Sequence, residues 1–222
     1  MPEPSSRPVF RCEYRGRLDH GSAAQRAAAV DRCAANAQNL MDSGALMTAA
    51  LYFYGDQLFL YYEALGEPVE PQAFLAPLDP LLARWPQKEQ TCTWAQMYPI
   101  YWHSVPRDEA DWQRPKPPVR RCGRIALLRH ETMFEYCYHH FAIVQEGLLQ
   151  GDKYQFISLH EDLLFSYFEE PRTYTNIRRD PERPSRAIDA WTAVDPEAHF
   201  IPLPGSNGAN FLMLPACFAL GR

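Results

Sequence analysis

"GDQLFLYYEA", Gly55 to Ala64, returns 106 residues later as "EDLLFSYFEE", Glu161 to Glu170. An earlier pair, "RCEYRGRLDH" (Arg11 to His20) and "RCGRIALLRH" (Arg121 to His130), repeats at an offset of 110, and Trp85 and Trp191 stand 106 apart. Three landmarks in one order read as an internal duplication, and a duplication decides the fold before any single element does. The change of offset puts four extra residues in the first copy. That is about one helical turn, which lengthens a helix without altering topology.

Each copy predicts the same succession. Strands are expected near 9–17 and 121–129, and helices over 21–42, which is Ala-rich, and 131–149. In the later helix Phe134, Cys137, Phe141, Val144 and Leu148 recur at spacings of three and four, the stripe of an amphipathic helix. Two strand pairs follow, turning at Gly55-Asp56 and at His160-Glu161-Asp162. A second helix is expected to end near Trp85 and Trp191, with a last strand near "MYPIYWH" or "FLMLPACFAL".

The order β-α-β-β-α-β is ferredoxin-like, so the expected fold is α+β, two tandem ferredoxin-like repeats. Each sheet would leave one face in need of cover, and two can cover each other as a fused dimeric α/β barrel. Residues 8–103 are then a first repeat with a degenerate site. Residues 104–120 are a Pro-rich linker, and 121–222 a second repeat carrying the site. Loops over 171–186 and 202–210, marked by Pro, Gly and Asn, could rim a cavity.

The totals narrow the function. The 222 residues carry a formal charge of -5, which argues against a basic nucleic-acid footprint. No apolar run approaches the roughly 18–20 residues of a membrane span. "MPEPSSRPVF" has no apolar core, so no signal peptide is expected and the expected address is cytoplasmic. Six cysteines without a C-x-x-C spacing read as free thiols.

Within "MFEYCYHHFAIVQEG", Met133 to Gly147, helical geometry puts Tyr136 and His140 one turn apart beside the apolar stripe, and His139 and Glu146 on a more exposed flank. A histidine can exchange a proton near neutral pH, and a phenol one turn away can orient a bound oxygen. Adjacent histidines on a helix point about 100° apart, so no metal site is expected at His139-His140. The corresponding helix of the first copy, "AQRAAAVDRCAANAQNL", holds neither Tyr nor His.

The stretch from Arg121 to Trp191 resembles the L-rhamnose mutarotase family, with Tyr136, His140 and Glu146 on the helix and Trp191 beyond the second hairpin strand. The resemblance implies a cofactor-free isomerase that interconverts sugar anomers. His140 would be principal acid/base, Tyr136 its partner, and Trp191 and Glu146 would contact a small-molecule sugar. Tyr101, Trp102 and His103 could wall the pocket, since aromatic faces suit sugar rings. The family's paired tryptophans reduce here to Trp191, and a barrel closed within one chain would let it act as a monomer. Two rivals remain: a non-catalytic sugar-binding or assembly protein, and a small monooxygenase-like barrel enzyme.

Overall fold

A computed structural model describes residues 7–87, 90–148, 151–172 and 182–222. Along the chain run β1 (Val9–Arg17), α1 (Ala23–Asp42), β2 (Leu46–Tyr54), β3 (Gln57–Leu65), α2 (Gln72–Leu75), β4 (Trp85–Gln87), β5 (Gln90–Cys92), β6 (Ala95–Gln96) and β7 (Tyr98–Trp102). Then come α3 (Glu109–Trp112), β8 (Arg120–Leu128), α4 (Met133–Glu146), β9 (Phe156–His160), β10 (Leu163–Glu170), α5 (Arg186–Ala193), β11 (Phe200–Ile201), β12 (Leu212–Leu214) and β13 (Ala216–Gly221). The fold is α+β with antiparallel sheets, and it divides into two units. One comprises Met1–Met97, Pro106–Pro117 and Pro215–Arg222, the other Tyr98–Val105 and Pro118–Leu214.

In the first unit the sheet order is β13-β2-β3-β1-β6. The β2–β3 hairpin turns at Gly55, whose φ of 60° suits a residue without a side chain. The helix α1 starts at a capping box, Ser22 and Gln25 each satisfying the other's backbone N–H. It lays Ala29, Cys33, Ala37 and Met41 on the sheet, a stripe at four-residue spacing whose small side chains let helix and strands approach closely. Tyr14, Leu46, Leu51, Leu60, Tyr62 and Phe74 fill the core beneath, each large apolar side chain contributing about 1.5–3 kcal/mol. The ring of Trp94 lies against Gly16, where an added Cβ would come within 2.9 Å of it.

A buried carboxylate ties the Pro-rich stretch to this unit. Glu63 accepts hydrogen bonds from Tyr61 Oη at 2.6 Å and Trp112 Nε1 at 2.7 Å. Arg114 grips the same carboxylate with both terminal nitrogens, at 2.6 and 2.9 Å. Two expectations fail here. Trp85 lies in the β4–β5 ribbon, not at the end of a second helix, and the one-turn α2 and a 3-10 turn at Asp79–Leu81 precede it. The strand expected at "MYPIYWH" is present as β7, but it pairs with β9 and not with the first half's sheet, where the edge beside β1 is the two-residue β6. Strand partners are chosen by long-range packing, which local pattern does not encode.

In the second unit the order is β11-β8-β10-β9-β7, with β12 also pairing β8. Both sheets are compatible with a ferredoxin-like arrangement. The helix α4 stops at Gly147, left-handed at φ 67°, and packs with α5 over Ala126, Leu128, Ile157 and Leu164. Its buried face is Tyr136, His139 and Ile143. Phe134, expected on the apolar stripe, is 80% exposed, while His139, expected outside, is only 7% exposed. The faces of the Tyr and His rings supply the apolar contact, so the seated side is rotated from the one that aliphatic and Phe positions alone suggest. Of the loop expected over 171–186, residues 173–181 lie outside the described residues.

Candidate functional site

Tyr136 and His140 point from α4 toward the sheet of the second unit, and their rings stack with centroids 3.9 Å apart. His140 Nδ1 lies 2.9 Å from the Tyr136 carbonyl oxygen. A carbonyl only accepts, so Nδ1 carries the hydrogen and Nε2 of the neutral ring presents a bare lone pair. Burial lowers the His140 pKa to about 4, against the upward pull of that hydrogen bond and with the neighbouring His139 and His199 adding to the fall. Neither His140 Nε2 nor the Tyr136 hydroxyl has a hydrogen-bonding partner among the described residues. Burial raises the Tyr136 pKa, so the phenol stays neutral.

Aromatic rings wall this pair. Trp191, on α5, stands edge-on to Tyr136 at 5.5 Å and to His140 at 5.0 Å between centroids. Tyr101, on β7, meets His140 edge-on at 5.8 Å. His199 closes against Trp191 at 5.0 Å and is held by Glu135 Oε2 at 3.1 Å from its Nε2.

The sheet contributes a cation. Arg124 occupies the α4-facing side of β8, in phase with Ala126 and Leu128. Its guanidinium carbon lies 4.1 Å from the centroid of Phe211 and 5.2 Å from that of Phe168. Nε makes one long contact, 3.4 Å to Ser166 Oγ, and no carboxylate among the described residues pairs with Arg124. Burial, then the neighbouring Arg172, pull its pKa down to about 10, with Tyr136 and Asp152 acting the other way. Arg172 is held by Asp152 at 2.8 Å and Gln155 at 3.2 Å. Among the described residues no group of three His, Cys, Asp or Glu side chains could hold a metal ion.

The structure therefore brings together Tyr136, His140, Trp191 and Tyr101 of the expected site and adds Arg124 and His199. Trp102 sits beside them against Phe141, and His103 is occupied in accepting the Gly151 N–H at 3.0 Å. Glu146 does not join the pair. It accepts the Ser185 hydroxyl and the backbone N–H groups of Arg186 and Ala187, capping α5. Arg124 could have been found from β8 alone, as the charge among Cys122, Ala126 and Leu128 on one alternating face.

No protein-family model and no curated protein matches the chain. Solved structures that match include a provisionally named monooxygenase from Lactobacillus acidophilus, at 5% identity over 96% of either chain and a TM-score of 0.44. A provisionally named chlorite dismutase matches at 11% over 94% of either chain, TM-score 0.40, and an anthrone oxidase-like protein at 8% over 96% of either chain, TM-score 0.36. These findings overturn the resemblance to L-rhamnose mutarotases, and with it the sugar isomerase reading. The motif behind it was short, and its Glu146 serves as a helix cap.

Proposed function

We propose that the α4 side of the second unit binds a planar, electron-rich aromatic molecule and removes a proton from it, the opening step of a small-monooxygenase type of oxidation. The observation that carries this reading is the His140 imidazole, tied at Nδ1 to a main-chain carbonyl with its Nε2 lone pair unpartnered among the described residues. Burial keeps that ring neutral in the physiological range, so the lone pair stands ready. A base with a pKa of about 4 takes a proton only from an acidic carbon or phenol whose anion then pairs with the imidazolium it has made. Tyr136 donates a hydrogen bond to the substrate oxygen on which charge develops. The rings of Tyr101 and Trp191 suit a flat apolar ligand.

The chemistry balances with molecular oxygen as sole co-reactant. An activated ring methylene loses a proton to His140, and the carbanion reduces oxygen. The methylene becomes a carbonyl, with the second oxygen atom leaving as water. Both electron pairs come from the substrate, so no redox cofactor is required. The test is oxygen uptake with dihydroxyanthrone: wild type consumes one oxygen per anthrone faster than buffer, and His140→Ala falls to the buffer rate. Uptake at the buffer rate in wild type, with anthrones and hydroquinones alike, sinks the reading.

We infer as well that the chain is a duplication of two tandem ferredoxin-like repeats. Tyr61 donates to Glu63 at 2.6 Å and Tyr167 to Glu169 at 2.7 Å, in the matching strands β3 and β10. Opposite those carboxylates stand Arg11 on β1 and Arg121 on β8. Strands β7 and β13 each pair with the sheet built by the other half of the sequence, an exchange of end strands that two fused repeats would make.

A further inference from the structure

We infer that Arg124 is an anion-recognition residue and that the ligand of the second unit carries a carboxylate, or an equally acidic oxygen, on its aromatic ring. The inference rests on the ligand-binding reading above and names its substrate class. Arg124 is a largely buried guanidinium without a carboxylate partner among the described residues, in a unit where Arg120, Arg121 and Arg172 each face one. A buried cation is costly unless paired, and a ligand anion would supply the missing charge.

The geometry favours a planar anion. Stacking on Phe211 at 4.1 Å, with Phe168 at 5.2 Å, fixes the plane of the guanidinium. Its one contact to the protein uses Nε, so both terminal nitrogens keep their hydrogens for a two-pronged grip on a carboxylate. Arg172 adds positive charge nearby, partly offset by its partner Asp152. The unpartnered Tyr136 hydroxyl, near enough to Arg124 to feel its charge, offers a third donor. An anion seated there holds its ring between Tyr101 and Trp191 beside the His140 lone pair.

The experiment compares two probes of one shape, naphthoate and uncharged naphthamide, by titration calorimetry under nitrogen at neutral pH. Wild type is expected to bind naphthoate roughly tenfold or more tightly than naphthamide. Arg124→Gln should abolish that preference while keeping its affinity for naphthamide, and Arg124→Lys should keep part of it. Equal binding of the two probes by wild type, binding of neither at millimolar concentration, or a preference that survives Arg124→Gln each overturns the assignment. His140→Gln should keep the charge preference while losing oxygen uptake. In wild type, charge preference kept while oxygen uptake is absent defeats the proton abstraction alone. Uptake present without charge preference defeats the role of Arg124 alone.

Discussion

The imidazole of His140 lies nearly flat on the ring of Tyr136, 22° from parallel, and is hydrogen-bonded to that residue's carbonyl one turn back. One residue therefore fixes both the plane and the tautomer of the other. A pH dependence follows. Burial depresses the folded-state pKa from 6.5 to about 4, so below pH 6.5 the unfolded chain gains a proton that the folded chain refuses. The group's contribution is present above pH 6.5 and is lost as pH falls toward 4, by at most about 3 kcal/mol. Urea unfolding at pH 7.5 and pH 4.5 should show a smaller drop in His140→Phe than in wild type. Equal drops would mean that the ring is not held neutral.

Tyr136→Phe removes one oxygen that makes no hydrogen bond to a described residue and leaves the ring on which His140 stacks. Stability should change by less than about 0.5 kcal/mol, because no protein hydrogen bond is lost. Oxygen uptake with dihydroxyanthrone should fall roughly tenfold or more, as expected for a lost donor to developing charge. A large loss of stability would show that the hydroxyl is structural, contrary to the arrangement seen.

Glu146 and Ser185 show what the misread motif does instead. The Ser185 hydroxyl accepts the Ile188 N–H while donating to Glu146, whose carboxylate is held below its usual pKa by that hydroxyl first and by the α5 backbone next. Ser185→Ala should cost about 1 kcal/mol in thermal or urea unfolding. Glu146→Ala should lower the melting temperature while leaving anaerobic naphthoate affinity within about twofold, a change of under half a kcal/mol. A loss of binding without a loss of stability would return Glu146 to the site.

These roles show how far the chain can be read. The hairpins were legible because Gly55 and Glu161-Asp162 interrupt long apolar runs, and α4 because its period is helical. The pair Tyr136–His140 was legible for the same reason, since four residues return a helix to one side. The partners of β7 and β13 were not, because pairing is settled by contacts between segments far apart in sequence. Nor was the link from Trp191 to His199, which crosses the turn between α5 and β11. The exposed Phe134 and buried His139 reversed the hydropathy rule because the His139 imidazole packs beside Trp191, 5.6 Å between centroids, as an apolar ring would.

The first unit offers the sharpest test of electrostatics, at Glu63. Burial alone would raise its pKa, yet the Arg114 guanidinium, with Tyr61 and Arg11, brings it from 4.5 down to about 2. Its contribution is present above pH 4.5 and is lost as pH falls toward 2, by about 3 kcal/mol. In Arg114→Met the carboxylate stays buried without its cation, which should cost about 3–5 kcal/mol at pH 7. The sign of the dependence should then reverse. With Arg114 gone, desolvation is opposed only by Tyr61, Trp112 and Arg11, so the Glu63 pKa rises, and lowering the pH protonates the stranded group and recovers part of the loss. Urea unfolding at pH 7, 4 and 3 should therefore show the gap between wild type and variant narrowing with acid. A gap that stays constant across that range would mean that the ion pair does not set the charge of Glu63.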